Sequence, residues 1–482
     1  MAVELDLGHV VDEIRHHHPC VAMAIGVVTP EGSQVAVSGP ADIGSREAAT
    51  AQTAFRVASI TKTFTAVGLI QLWEQGLVDL DAPAENYLQT IRLGGKMSNP
   101  VTVRQLLTHT SGLPETLSVR GLVRPDFGES CAPTEAAPTL AEFYGRRLDT
   151  VTDPGTTFCY TNHGPALIGQ ILEDVTGQAL EDYLVAHVFA PWGMTGSDLS
   201  QSRRPRAGRA TGYRLTSRGP KAVAVRDMVT AGAAAAWSTP ADMVHYLEAL
   251  LGGGRNEHGA ALHPDTLDFM FAPHYQPDPR IPGMGLGFMR GEVDGHKVVE
   301  HQGIIPGFDS HLILAPDDGA GVFAVTTGAR LAMFWLQAET SRLLRRLIGA
   351  GPDIVPTDVP QRPDVWPELC GRYWVPGTFR DLRLRSIVGA GVQVRVRGGR
   401  LVLGTLNPVP TLFKGVELLP GSTEDPYCLR FDLTGLGLGT GGVVFDPDSS
   451  SGDTAMHLEL MPLTAYRRSR RELRKRWPGG AR

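Results

Sequence analysis

Within residues 55–76, FRVASITKTFTAVGLIQLWEQG, a serine and a lysine stand three positions apart, Ser59 and Lys62, with apolar residues behind them. A serine hydroxyl is a weak nucleophile at neutral pH and attacks a carbonyl only when a neighbouring base takes its proton. Three positions along a helix is nearly one turn, so the two side chains would share a face within hydrogen-bond reach. A lysine serves as that base where burial or a nearby cation lowers its pKa by several units, and the apolar run supplies such surroundings. A serine at a helix start also meets unpaired backbone N–H groups and positive dipole, which favour an oxyanion. Alone the pair carries little weight. A chain of this length holds roughly one or two Ser-x-x-Lys matches by chance, and an N-cap serine before a solvated lysine fits the same residues.

Three further stretches follow in order: VTVRQLLTHTSGLP (101–114), PGTTFCYTNHGPALIGQILEDVTG (154–177) and EHQGIIPGF (300–308). A tyrosine phenol both donates and accepts, so Tyr160 beside a lysine could relay a proton; a buried aromatic with a bonded hydroxyl is the commoner use of a tyrosine. A histidine in a strand, as at His301, is more often structural than catalytic. Together with SITK, the three stretches resemble the penicillin-binding-protein and class C β-lactamase superfamily of serine hydrolases, over roughly residues 10–347, with GLVDLDAPAENYL and PWGM also in register.

The resemblance implies that Ser59 is the acylated nucleophile and Lys62 its partner, with Tyr160 and Asn162 forming the Tyr-x-Asn element. Asn162 would hold Lys62 or a substrate amide. His301 and Gly303 fall where the superfamily has Lys-Thr-Gly or a His-x-Gly variant, as in D-aminopeptidases and DD-peptidases. Glycine there admits substrate close to the backbone. The N–H groups of Ser59 and Ile304 would form the oxyanion hole. Ile304 replaces the hydroxyl residue of carboxylate-recognising members, and alanines replace the usual glycines in AGAAAAWSTPADMVHYL (231–247), which would crowd one wall of the cleft. The implied activity is acyl transfer through a serine ester on a small-molecule or peptide ester or amide, without metal or cofactor. An esterase or peptidase, including a D-aminopeptidase, is one form of it. A penicillin-binding-type acyltransferase or cyclising thioesterase is another, and a silent binding protein is the alternative outside enzymology.

The elements that would position these residues follow from periodicity. CVAMAIGVVTPEGSQVAVSG (20–39) reads as a hairpin around Pro30, Glu31 and Gly32. Helical patterns lie behind Ser59 and near 102–108, 164–189, 240–251 and 331–348. From residue 297 come β-rich runs, KVVEHQG, FDSHLILAP and GAGVFAVTTG. Strands at both ends with helices between predict an α+β fold, in which the two termini of residues 1–350 form an antiparallel sheet flanked by helices. Five prolines in residues 352–367 suit an extended linker, placed at 351–367. Beyond it, VQVRVRGGRLVLGTL, CLRFDL, GGVVFD and MHLELMPL alternate with period two, predicting an all-β barrel or sandwich, lipocalin-like, at 368–470. Residues 115–153, with three prolines and no clear period, would lie over the cleft or form an inert surface excursion.

Composition narrows the remaining classes. The net charge of -6 divides into +7 on residues 467–482 and -13 on the rest, so the body suits no polyanion. The end of this run, 471–482, reads as a solvated basic tail, and no nucleic-acid partner is expected. Five scattered cysteines without a CxxC predict reduced thiols. The first twenty residues lack a basic region followed by an apolar run, and no stretch reaches membrane-span length, which predicts a cytoplasmic chain without membrane insertion. His16, His17 and His18 are expected in a solvated turn before Pro19 rather than on a metal.

Overall fold

The computed structural model describes residues 5–467 except 96, 118–123, 125–127, 133–134, 136, 200–207, 376–390, 406–413, 448, 450–453 and 460. The basic tail from residue 468 onward lies outside the described residues.

Apolar runs at the two ends of the first 348 residues find each other. β1 (Ala22–Thr29) and β2 (Gly32–Ser38) form the expected hairpin; β3 (Met289–Val293), β4 (His296–Ile305), β5 (Phe308–Ala315) and β6 (Ala320–Thr327) come from the other end. The six strands are ordered β3-β4-β5-β6-β1-β2, all antiparallel, and the β1–β6 pairing joins the two ends. Every residue of β6 and seven of the eight in β1 are buried, because both faces of the sheet are covered.

Side-chain alternation along β1 divides the core. Met23, Ile25 and Val27 pack with α1 (Leu7–His17) and α5 (Ala332–Ile348), whereas Ala22, Ala24 and Val28 join the larger core on the other face. That larger core contains α2 (Thr61–Glu74), α3 (His163–Thr176) and α4 (Pro240–Leu251). Gly26 lets α4 approach: a Cβ there would stand 2.7 Å from Val244 Cγ2. α2 is buried from Thr61 through Leu72 on every side, so it is a central helix rather than an amphipathic surface one. Each fully buried Leu or Phe on it contributes about 1.5–3 kcal/mol.

The three consecutive histidines depart from expectation. His16 and His17 form the last turn of α1 and His18 caps it, because the apolar spacing of Leu7, Val10, Val11 and Ile14 carries the helix that far. His18 stacks on Trp335, with centroids 4.4 Å apart, and bonds Glu339 at 3.2 Å.

Residues 349–365 hold no helix or strand. After them nine strands form one antiparallel, nearly closed, barrel-like sheet: β7 (Gly371–Trp374), β8 (Val392–Arg397), β9 (Arg400–Thr405), β10 (Val416–Glu417), β11 (Leu419–Pro420), β12 (Cys428–Asp432), β13 (Thr440–Asp446), β14 (Ala455–Leu458) and β15 (Thr464–Arg467). The sheet order is β10-β9-β8-β7-β15-β14-β13-β12-β11, and only Leu418 separates its two edge strands in sequence. Gly398 and Gly399, with φ of 57° and 75°, make the two-residue turn between β8 and β9 that needs left-handed backbone at both positions. Val392, Val394, Leu429, Phe431, Val443 and Phe445 fill the interior. Phe158 and Tyr160 pack against this same cluster, so the barrel sits beside the loop that carries the candidate tyrosine. Arg280 clamps the contact, donating to Asp425 Oδ2 at 2.9 Å and to the Phe445 carbonyl at 3.1 Å. Among the described residues the cysteines form no disulfide. Among the described residues no helix is long and apolar enough to cross a membrane.

Candidate active site

Ser59 occupies a single 3-10 turn, Ala58–Ile60, immediately before α2, and is partly exposed. The chain reaches this turn through Ala58, whose φ of 48° is left-handed and costs about 1–3 kcal/mol for a residue with a Cβ. Neighbouring bonds hold it there. The Val57 N–H donates to the Ala236 carbonyl at 3.1 Å, and Ser310 Oγ donates to the Val57 carbonyl at 2.9 Å. Gly303 faces the same turn, where a Cβ would fall 2.2 Å from the Val57 carbonyl oxygen and 3.2 Å from the Ser59 nitrogen. Only glycine allows β4 to lie this close to the serine.

Lys62 is 2% exposed, and its Nζ donates to Ser59 Oγ at 2.8 Å, Asn162 Oδ1 at 2.8 Å and the Ala233 carbonyl at 2.9 Å. The tetrahedral nitrogen of a buried lysine needs such acceptors, since an unpaired buried charge is costly. The helix Ala231–Ala234 supplies one of them through its backbone, so the alanine-rich stretch enters the site by a carbonyl. Lys62 Nζ also lies 5.0 Å from the centroid of the Tyr160 ring.

Asn162 stands at the N-cap position of α3, yet its side chain makes no cap bond. Thr161 Oγ1 accepts from the His163 N–H at 3.1 Å instead, and the Asn162 amide reaches back to Lys62. Of the two tasks expected of Asn162, contact with Lys62 is the one its geometry has. Its Nδ2 is turned the other way and donates to Glu129 Oε2 at 2.9 Å.

His301 and His109 complete the surroundings. His301 is 1% exposed, with Nδ1 2.8 Å from the Gln302 carbonyl, an acceptor only, which places the ring proton on Nδ1. Burial, then the Lys62 charge, lowers its pKa to about 3, so the ring is neutral. His109 is likewise buried and held well below the usual histidine range, first by burial and then by Lys62. Its backbone is left-handed, φ 56°; its carbonyl accepts from the Cys159 N–H at 2.8 Å, and its ring lies 4.4 Å from that of Tyr160. The Tyr160 and His301 rings are 6.2 Å apart.

Ser59, Lys62, Tyr160, Asn162, His301 and Gly303 are thus gathered around one point. Ile304 follows on β4, with its side chain 44% exposed at the rim. Four contributors were not singled out from the sequence: His109, Glu129, Thr230, whose Oγ1 donates to Glu129 Oε2 at 3.0 Å, and the Ala233 carbonyl. His109 had a signal, the THTSG stretch, but no assigned role; Glu129 lies in 115–153 and Ala233 in 231–247, stretches placed at the cleft without either residue being picked out, and Thr230 had no signal.

A family model described as Beta-lactamase matches residues 8–345. The chain belongs to the beta-lactamase family. Among relatives in this family, it is 27% identical over 391 residues to penicillin-binding protein 4 of Amycolatopsis lactamdurans, covering 75% of this chain and 95% of that protein. It is 23% identical over 299 residues to the protein flp of Staphylococcus aureus strain N315, covering 59% of this chain but only 55% of flp. The octameric penicillin-binding protein homologue from Pyrococcus abyssi shares the fold across both regions, with a TM-score of 0.61 at 21% identity over 96% of this chain and 100% of that one. D-amino acid amidase from Ochrobactrum anthropi SV3 has a TM-score of 0.58 at 24% identity, covering 71% of this chain and 98% of the amidase. The fold is that of β-lactamases and penicillin-binding proteins, with a barrel-like sheet added.

Proposed function

We propose that this protein is a serine hydrolase that cleaves a small-molecule or peptide ester or amide through an acyl-enzyme on Ser59. The observation that carries the reading is the 2.8 Å contact between Lys62 Nζ and Ser59 Oγ, inside a buried set of acceptors. Once Lys62 has given up one proton, its Nζ turns from donor to acceptor along the Ser59 contact and takes the Oγ proton as Oγ bonds to the substrate carbonyl carbon. The resulting oxyanion rests on the N–H groups of Ser59 and Ile304. Register supports the second donor. β4 and β5 are joined by the two residues Pro306 and Gly307, with Ile305 opposite Phe308 and Ile304 opposite Asp309. In such a hairpin the closing pair exchanges its hydrogen bonds, so the next pair turns its N–H groups outward. β3 reaches only as far as Glu300, leaving the Ile304 edge open.

Collapse of the intermediate breaks the bond to the leaving group, which receives its proton through the Tyr160 phenol. Water then attacks the ester, giving its proton back through Tyr160 and Lys62, and the acid departs. His301, neutral and fixed, shapes the polar surroundings of the phenol without adding a charge. No step requires a metal or an organic cofactor. A cytoplasmic location belongs to the same reading, supported by cysteines that form no disulfide among the described residues, which suits a reducing compartment.

The test is steady-state and burst kinetics with activated esters and with D- and L-aminoacyl amides, the amides being chosen because the amidase shares the fold. The expected result is a burst and turnover of at least one class, reduced about 10³-fold or more in Ser59→Ala. Turnover that survives unchanged in Ser59→Ala would overturn the reading.

A further inference from the structure

Glu129 lies in the segment 115–153, in which no catalytic pattern is visible, yet the chain carries it into the site. Ser130–Cys131 pairs as a short antiparallel strand with Asp227–Met228, and the Val229 N–H donates to the Glu129 carbonyl at 2.8 Å. Arg226 fastens the next residue, donating from Nε to Ser130 Oγ at 2.7 Å and from Nη2 to the Ser130 carbonyl at 2.9 Å. So held, the Glu129 side chain is 2% exposed, and its Oε2 accepts from Asn162 Nδ2 at 2.9 Å and from Thr230 Oγ1 at 3.0 Å.

We propose that Glu129 is a positioning residue for the reaction: it fixes the Asn162 amide with Oδ1 toward Lys62 and sets a buried acidic group two hydrogen bonds from Nζ. This rests on the hydrolase reading of the same site. An asparagine amide can turn over and exchange its oxygen for its nitrogen, and then it would present donors to an amine that needs acceptors. A carboxylate accepts only, so its bond to Nδ2 excludes the flipped amide. The negative charge also favours the protonated lysine that forms when Ser59 gives up its proton, in a region where charges are little screened. The same bond uses one of the two Nδ2 hydrogens.

Other groups around Lys62 bear on its proton. Ser59 lies at its own turn, Tyr160 and Asn162 come from the α3 loop, His109 from the loop after Val103–Leu107, and His301 from β4. Both histidines are neutral, so neither adds a positive charge beside Lys62. On its far side Glu129 faces Tyr144, whose phenol is raised well above its ordinary range by burial and then by Glu129, and which bonds His163 at 3.0 Å.

The experiment measures the rate of inactivation by a fluorophosphonate as a function of pH, for wild type, Glu129→Gln and Glu129→Ala, each checked for folding by circular dichroism. Glutamine preserves shape and an acceptor but removes the charge, so the lysine loses its proton more readily. The acid limb should therefore move to lower pH, by about half a unit or more. Glu129→Ala frees the amide, and inactivation at the plateau should slow about 10- to 100-fold. Should the alanine variant fail to fold, the glutamine profile decides alone. A wild type that labels at Ser59 alongside variants whose profiles match it at every pH overturns this role and leaves the hydrolase reading standing. A folded wild type that takes no label overturns both.

Discussion

Helices α2 and α5 lie on opposite faces of the same sheet, and both combine basic residues with an apolar run. In α5 the apolar residues form one stripe, Ala332, Trp335, Leu336, Leu343 and Leu344, and Arg342 stays 64% exposed beside Glu339. The arginine there is solvated and its pairing is worth little. In α2 there is no outer face, because the helices around it cover all sides from Thr61 through Leu72. A lysine in that position cannot reach water, so the fold must supply acceptors, and one of those acceptors is the serine hydroxyl. Chemistry at Lys62 therefore follows from where its helix is packed, as much as from the residue type.

The widest gap between the two helices should appear in activity. Lys62→Met removes the base from α2 and should lower kcat about 10³-fold or more, whereas Arg342→Met on α5 should leave kcat within about twofold. Comparable losses in both variants would show that packing does not distinguish them. Stability should separate them next. Phe64 is fully buried, with ring centroids 4.6 Å from Tyr246 and 5.1 Å from Phe189. Phe64→Ala should cost about 3–5 kcal/mol in denaturant unfolding. Met333, 38% exposed on α5, should cost less than about 1 kcal/mol when changed to alanine.

The smallest contrast is in pH dependence. His301 on the α2 side titrates near pH 3 when folded, against an ordinary value of 6.5. Above pH 6.5 the ring is neutral in both states and contributes nothing. As pH falls below 6.5 the unfolded chain gains a proton that the folded one refuses, so stability declines until about pH 3. His109 adds to this in the same direction. Thermal unfolding should show Tm falling across that window, with a shallower fall in His301→Gln. An unchanged slope in His301→Gln would contradict the neutral buried ring.

Periodicity made much of the fold legible. The β1–β2 hairpin, the three strand runs after residue 297, the long α5 and the Gly398–Gly399 turn all stand in short windows where local pattern and turn chemistry agree. Ser59, Lys62, Tyr160, Asn162 and His301 were legible because each sits in a distinctive stretch. Glu129 was not, since it meets Asn162 only after 33 residues and Thr230 after 101, in an aperiodic segment. The Ala233 carbonyl carries no side-chain identity to read. The histidines 16–18 were misjudged because their own composition suggested a turn, while the stripe before them extended α1.

The most direct test is intact-protein mass spectrometry after exposure to a fluorophosphonate, followed by peptide mapping. A single adduct on Ser59, absent from Ser59→Ala, is the predicted result. A folded wild-type protein without an adduct, or an adduct that persists in Ser59→Ala, would contradict a serine nucleophile activated by Lys62.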